Sequence, residues 1–446
     1  MPHRKNRWVR DVIKWPVFLL WLLMFLISLD HLYAFFPFFS QLPTRIIGNI
    51  GWLTFVLTIF YCADNHLTAT ILIALLFFGL GKWSGPFLEP PSDPLEHLRR
   101  VYEWNCDQSA FNMPRNNRGF WHYSMVGNLL CPDGETVQPI EQLQRIDNVH
   151  GLFWALAAAT LFVLSLQAGL PARWAFLSLV ICFLFFGTNR FSYFRYYSLA
   201  PGFSSLIIYW IWTGLFFFTK KSQDLVTGFL CGLIALPILW VNHQQEAVFL
   251  GFIVIVWLLV HCLLLAVKIG LFSNRKSTQV WISLLCLLTL FSLGWLLPQS
   301  QFFRHWLEQF FVRDFRNLQP LSSFFYGVYV GPKFTGLRVF DTLGGEGILM
   351  VLLVVPYLWP GFFPGSTERK IRIFLLGVLP FVGYFIPLFH YIWSSNVRVP
   401  TYYRLCYASM FWIFFADFLF RSGQHLFACK TFQSRQSQGK HAGGDL

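Results

Sequence analysis

An all-α polytopic membrane protein of about twelve transmembrane helices, with two long outer-face loops, is the fold that this sequence predicts, and three observations predict it. Only 12% of the 446 residues are charged and 55% are hydrophobic, with a mean hydropathy of +0.51, whereas roughly a quarter of a soluble domain is charged. Apolar runs of about 20 residues, the length a helix needs to cross about 30 Å of hydrocarbon, recur almost from end to end. Aromatics make up 20% of the chain, as 52 Phe, 19 Trp and 16 Tyr; this excludes disorder and suits a surface that meets lipid and its interfaces.

The candidate crossings cover residues 15–37, 46–63, 67–81, 151–169, 172–188, 202–219, 225–241, 246–268, 278–297, 345–363, 371–393 and 402–420. They form a single transmembrane body over 1–446, because backbone amides in lipid must bond within their own segment. Two stretches between them are long, 82–150 and 298–344, and the chain ends in a tail over 421–446. The first apolar run comes after Arg4, Lys5, Arg7, Arg10 and Lys14 and is short enough for a signal peptide. It leads into Asp30-His31-Leu32-Tyr33 and not into a small-x-small cleavage site, so a retained helix is expected.

Lysine and arginine placement sets the expected orientation. With the N-terminus inside, the short segments carry 18 basic residues inside and five outside: Arg45, Arg190, Arg195, Arg398 and Arg404. The basic balance, net +13, is therefore an orientation signal, and nucleic-acid binding has no support. The short loops and compact tail are bacterial in character, which places the protein in an inner membrane with both termini cytoplasmic. Of nine cysteines, Cys106 and Cys131 alone lie in the first long outer loop, where a disulfide between them is an open possibility in an oxidising compartment.

Ionisable residues inside a membrane are costly and so point to function. Here the midplane is nearly empty, His261 being the one deep candidate, and this argues against an ion-coupled transporter. Polar groups gather instead in the outer segments. In the first long loop, Leu95, Leu98, Val101 and Tyr102 recur at three- and four-residue steps, giving an amphipathic helix suited to the membrane surface. Asp93 stands at its start. As a structural residue it is a good N-cap, with Pro94 at the first helical position and Glu96 completing a capping box; as a functional one it is a fixed carboxylate beside the mouth of a bundle.

Four more outer clusters carry Arg190 and Arg195, then His243 and Glu246 in the turn VNHQQE, then Arg313 and Arg316, and finally Arg398 and Arg404. Each alone reads as a solvated loop with interfacial aromatics. Together, outer arginines run against the topology rule, and guanidinium groups suit bidentate phosphate binding. Trp83, Trp104, Phe120, Trp121 and Tyr123 are placed to stack on a sugar or to anchor the loop at the headgroups. No Gly-rich phosphate loop, zinc helix, nucleophile elbow or dinucleotide fingerprint occurs.

Many membrane helices, an Asp in an early outer loop immediately before a surface helix (SDPLEHLRRVYEW) and further polar outer turns resemble the GT-C superfamily of integral-membrane glycosyltransferases. That resemblance implies transfer of a sugar from a polyprenyl-phosphate carrier to a glycan, lipid or protein acceptor at the outer face. It makes Asp93 the matching acidic residue, as general base or metal ligand. The family's acidic residue often comes after the first crossing in an Asp-x-Asp or Glu-x-Asp pair; here it comes after the third and stands alone, which leaves a divalent cation, Mg or Mn, open. Arg398 and Arg404, with Arg190 or Arg195, are then expected to hold the departing phosphate, and His243 and Glu246 to contact sugar hydroxyls or form a second titrating pair. Two alternatives are an outer-face glycan polymerase or ligase working through 298–344, with Arg313, Arg316 and Arg338 essential, and a non-enzymatic lipid or glycan transporter.

Overall fold

The computed structural model of the chain describes residues 7–36, 42–86, 93–105, 119–131, 139–185, 192–213, 225–251 and 412–424, with 39, 88, 253 and 254. The crossings expected over 278–297, 345–363 and 371–393 lie outside these residues, as do the second long loop, most of the tail and parts of five other crossings. The described residues are helical, without strands. The helices are α1 Arg7–Tyr33, α2 Thr44–Ala63, α3 Leu67–Ser84, α4 Asp93–Asn105, α5 Phe120–Leu130, α6 Pro139–Gln167, α7 Ala172–Phe185, α8 Ser192–Tyr197, α9 Pro201–Thr213 and α10 Leu225–Asn242. Further helical segments cover 244–251 and 412–424.

Four stretches, Ile13–Tyr33, Thr44–Ala63, Leu67–Ser84 and Ile140–Gln167, are long and apolar enough to cross a membrane. This is a membrane protein. The first three coincide with crossings read from hydropathy because their apolar runs are continuous; the short 3-10 turn Asp64–His66 separates the second from the third. Of the spanning window of α6, 83% is buried, against 17% of α3, so α6 is central and α3 peripheral. Leu72 and Leu75 of α3 are 62% and 61% exposed, a face suited to hydrocarbon.

Where lipid is as apolar as leucine, burial alone does not hold helices together; close approach and interhelical hydrogen bonds do. The α1–α2 pair is tied by the Trp21 indole N–H donating to Thr58 Oγ1 at 3.0 Å. Ser165 and Ser178 hydroxyls join α6 to α7 at 2.6 Å. At Gly81 a Cβ would fall 2.9 Å from the Gly151 Cα, so α3 and α6 pack backbone against backbone. At the far end, Arg421 meets Asp417 at 3.0 Å, one turn apart in the last described helix.

The region expected as a loop from 82 to 150 contains two features that hydropathy does not register. The helix α6 begins at Pro139, about a dozen residues before the expected crossing. Its first turns are too polar to score as membrane, yet Ile146 and Val149 already face the core at 5% and 1% exposure. The second feature is α5, eleven residues long and buried along most of its length against α2, α4, α6, α9 and α10. Phe120, Trp121 and Tyr123 are at most 1% exposed, so they form core and do not stack on a sugar or anchor the loop in headgroups. Gly119 makes the turn into α5 at φ 105°, where an added Cβ would lie 2.7 Å from Pro201 Cγ. Its N–H donates to the Val241 carbonyl at 3.2 Å, fastening α5 to α10.

The helix α4 is amphipathic as expected, with Leu98 and Val101 buried. Its neighbours are α5 and α8, so the apolar face is covered by protein where a membrane surface was expected. The Glu96 carboxylate accepts from Arg99 Nε at 2.9 Å and Arg100 Nε at 3.0 Å, and so turns along the helix instead of back to its start as a capping box requires. The hydrogen bond from Arg99 is the main cause holding this carboxyl down at about 2. Cys131 is disulfide-bonded, its partner outside the described residues, while the Cys182 and Cys231 thiols are free. Peptide mapping without reductant is expected to recover Cys106 joined to Cys131; a Cys131 peptide carrying any other cysteine would overturn that pairing.

Candidate functional site

The C-terminal ends of α1, α3 and α10 and the N-terminal ends of α6 and α9 meet at one end of the bundle, with α4, α5 and α8 packed there. This is the polar end. Asp93 is the first residue of α4, and its side chain is outside the described set. His97 comes one turn later, so the two positions share a helix face. The His97 Nδ1 lies 2.6 Å from the Tyr123 hydroxyl, with the Arg100 guanidinium also hydrogen-bonded to Tyr123. A guanidinium has only donors. It therefore takes the phenol oxygen's lone pair and directs the phenol hydrogen to His97.

Behind α5 lies a buried polar knot. Asn242, the last residue of α10, accepts from the His122 backbone N–H at 2.9 Å and shares its two amide hydrogens among Ser205 Oγ at 2.7 Å, Ser204 Oγ at 2.9 Å and the Pro201 carbonyl at 3.2 Å. One amide thus joins α5, α9 and α10. The His122 Nδ1 is 3.1 Å from Ser204 Oγ, and burial pulls this imidazole down to about 3; it is neutral at any physiological pH. Replacing Asn242 with Leu is expected to cost about 2–3 kcal/mol, since the amide's interhelical bonds are lost and the buried His122 N–H is stranded. Thermal unfolding in detergent measures it, and an unchanged midpoint would contradict the knot.

On the same end, His243 Nδ1 lies 2.5 Å from Glu246 Oε2, the two side chains 12% and 4% exposed. The residues 244–251 form a helix, which brings positions 243 and 246 together one turn apart. The sequence named both residues, and the structure joins them. Across the end, Arg195 of α8 donates from Nε to the Gly85 carbonyl at 3.1 Å, just past α3. Beside it, His150 bonds the Ser198 hydroxyl through Nδ1 and lies 3.4 Å from Ser84 Oγ through Nε2. The α1 end contributes Ser28, whose Oγ accepts from Trp121 Nε1 at 2.9 Å, and His31, whose ring packs tilted against Phe120 with centroids 4.3 Å apart.

Of the expected site residues, Asp93, Arg195, His243 and Glu246 belong to elements that converge at this end. Arg190, Arg398 and Arg404 lie outside the described residues, as do Arg313, Arg316 and Arg338 of the rival loop. Sequence reading missed His97, His122 and His150 as site residues, and named Tyr123 only as an aromatic for sugar stacking or headgroup anchoring. The one local signal was a polar residue inside an aromatic run, FWHYS, which in a buried helix must find partners. Among the described residues no three His, Cys, Asp or Glu side chains gather in a way that holds a metal ion, and no step is routed through one.

No protein-family model, curated protein or solved structure matches this chain.

Proposed function

We propose that the chain is a membrane glycosyltransferase of GT-C character that moves a sugar from a polyprenyl-phosphate carrier to a glycan, lipid or protein acceptor. In this reading the bundle has about twelve crossings, both termini are cytoplasmic, and the polar end faces the outside of a bacterial inner membrane. The observation that carries it is the convergence of α4, headed by Asp93, with Arg195 and the His243–Glu246 pair at one end of an apolar bundle. A lipid-borne donor enters such a site sideways, with its tail left in hydrocarbon.

Asp93 acts as general base. It removes the proton of the acceptor hydroxyl as that oxygen attacks the anomeric carbon, a role worth typically about 10²- to 10⁴-fold. Arg195, with Arg190, Arg398 and Arg404, holds the carrier phosphate. Their charge counts most as negative charge builds on the leaving oxygen, which lowers the barrier and does more than improve binding. Arg195 is suited to this because its Nε bond to the Gly85 carbonyl fixes the guanidinium plane.

The test is direct. Purified protein in lipid nanodiscs is given synthetic polyprenyl-phosphate sugars and an envelope-lipid extract, and products are read by mass spectrometry. Transfer of a hexose or pentose supports the reading. No transfer from any donor in the set would remove it and leave the transporter alternative.

A further inference from the structure

We propose, on the basis of the glycosyl-transfer reading, that His243 is a second catalytic residue that protonates the departing phosphate oxygen, with Glu246 as its positioning residue. The pair is fixed, not a solvated surface contact. Glu246 is 4% exposed and His243 12%, with Nδ1 and Oε2 2.5 Å apart. A carboxylate accepts and has no hydrogen to give, so Nδ1 carries the hydrogen and the exchangeable position of the ring is Nε2. The backbone beneath the imidazole is held as well: the His243 N–H donates to the Leu239 carbonyl at 2.6 Å, and Asn242 just before it is pinned to α5 and α9.

Among the described residues, the helices packed around this pair bring it few other titratable groups. From α5 the facing titratable group is His122, which its burial keeps neutral. From α9 come the Ser204 and Ser205 hydroxyls around Asn242. The titratable groups of α1 at this end are Asp30 and His31, whose contacts include the Phe36 N–H at 2.5 Å and the Phe120 ring. A group that only contacted sugar hydroxyls would not need a carboxylate locking its tautomer.

The step balances. The acceptor oxygen forms a bond to the anomeric carbon while the bond from that carbon to the phosphate oxygen breaks, its electron pair going to that oxygen. Asp93 takes the hydroxyl proton, and the Nε2 proton of His243 passes to the leaving phosphate, giving the glycoside and a monoprotonated polyprenyl phosphate. Water then takes the proton from Asp93 and supplies one to His243, which resets the pair.

The experiment is the pH–rate profile of purified full-length wild type, His243→Gln, Glu246→Gln and Asp93→Asn with one synthetic polyprenyl-phosphate sugar. The wild type should give a bell. His243→Gln should lose about 10²-fold in kcat with KM nearly unchanged, and lose the alkaline limb while keeping the acidic one. Glu246→Gln should retain the alkaline limb and move it to lower pH. His243→Gln with normal kcat, with a loss confined to KM, or with an intact alkaline limb would overturn the assignment and leave the glycosyltransferase reading standing. If that variant does not fold, a Glu246→Gln profile superimposable on wild type overturns the assignment in its place. A wild type inactive with every donor removes both readings together.

Discussion

Asp93→Asn protein is expected to insert and express as wild type does and to transfer sugar at least about 10²-fold more slowly. The choice of Asn separates the two roles that the sequence leaves open. Asn caps a helix start about as well as Asp, so α4 and its packing on α5 and α8 should survive. Asn cannot take a proton at neutral pH, so a general base is lost. Asp93→Ala should lose both functions. Transfer measured on purified protein, with melting temperature recorded in parallel, decides the matter. If Asp93→Asn transfers normally while Asp93→Ala melts early, the residue is a cap and the chemistry belongs to other groups.

Gly48→Ala is expected to be the most damaging small substitution in α2. An added Cβ at Gly48 would fall on the Ser124 carbonyl oxygen, well inside contact distance, and 2.9 Å from Asn128 Cβ. A backbone carbonyl inside a helix cannot rotate away as a side chain can. The α2–α5 pair must therefore separate, at a cost of about 3 kcal/mol, toward the upper end of what overpacking does. Separation also breaks the Trp52 indole bond to the Met125 carbonyl at 2.9 Å and the Asn128–Asn49 amide bond at 2.6 Å. Gly79 supplies the control, because a Cβ there meets nothing within 4 Å. Thermal unfolding should show Gly48→Ala melting well below wild type and Gly79→Ala close to it; equal behaviour of the two would mean that α5 does not pack on α2.

Asp93 and Gly48 differ in how far local sequence reveals them. Asp93 stands out because a carboxylate, a proline and an apolar i, i+3, i+4 pattern are adjacent in sequence, and adjacency is what local reading detects. The role of Gly48 does not. A glycine in an apolar run looks like any small residue until the carbonyl it must avoid, 76 positions downstream at Ser124, is brought against it. The same holds for α5. Its FWHYSMVGNLL stretch has no strong one-sided pattern, because a short helix surrounded by protein is buried all round. Local pattern consequently makes it loop and sends its aromatics to an interface, whereas Trp121 and Tyr123 are fully buried.

The candidate site divides in a similar way. His243 and Glu246 were legible because they lie one helical turn apart in a polar turn. Arg195 was legible as an arginine against the expected charge bias, but its bond to Gly85 spans 110 positions and no local rule finds it. His122 showed only as a lone polar residue inside an aromatic run, and no local rule names its partner Ser204 or the Asn242 that caps its N–H.

The sequence alone determined the membrane character, the helical class of the described residues and, to within a few residues, the placement of the first three spanning helices. Those come from the transfer free energy of contiguous segments and the demand that each satisfy its own backbone, both of which are sums over neighbours in the chain. Only the tertiary structure decided the burial of α5, the early start of α6 and the Asn242 knot that joins three helices. A polar or aromatic side chain is placed by its partner, and here the partners come from segments tens of residues away. Their meeting is a property of packing and is not written in any one stretch.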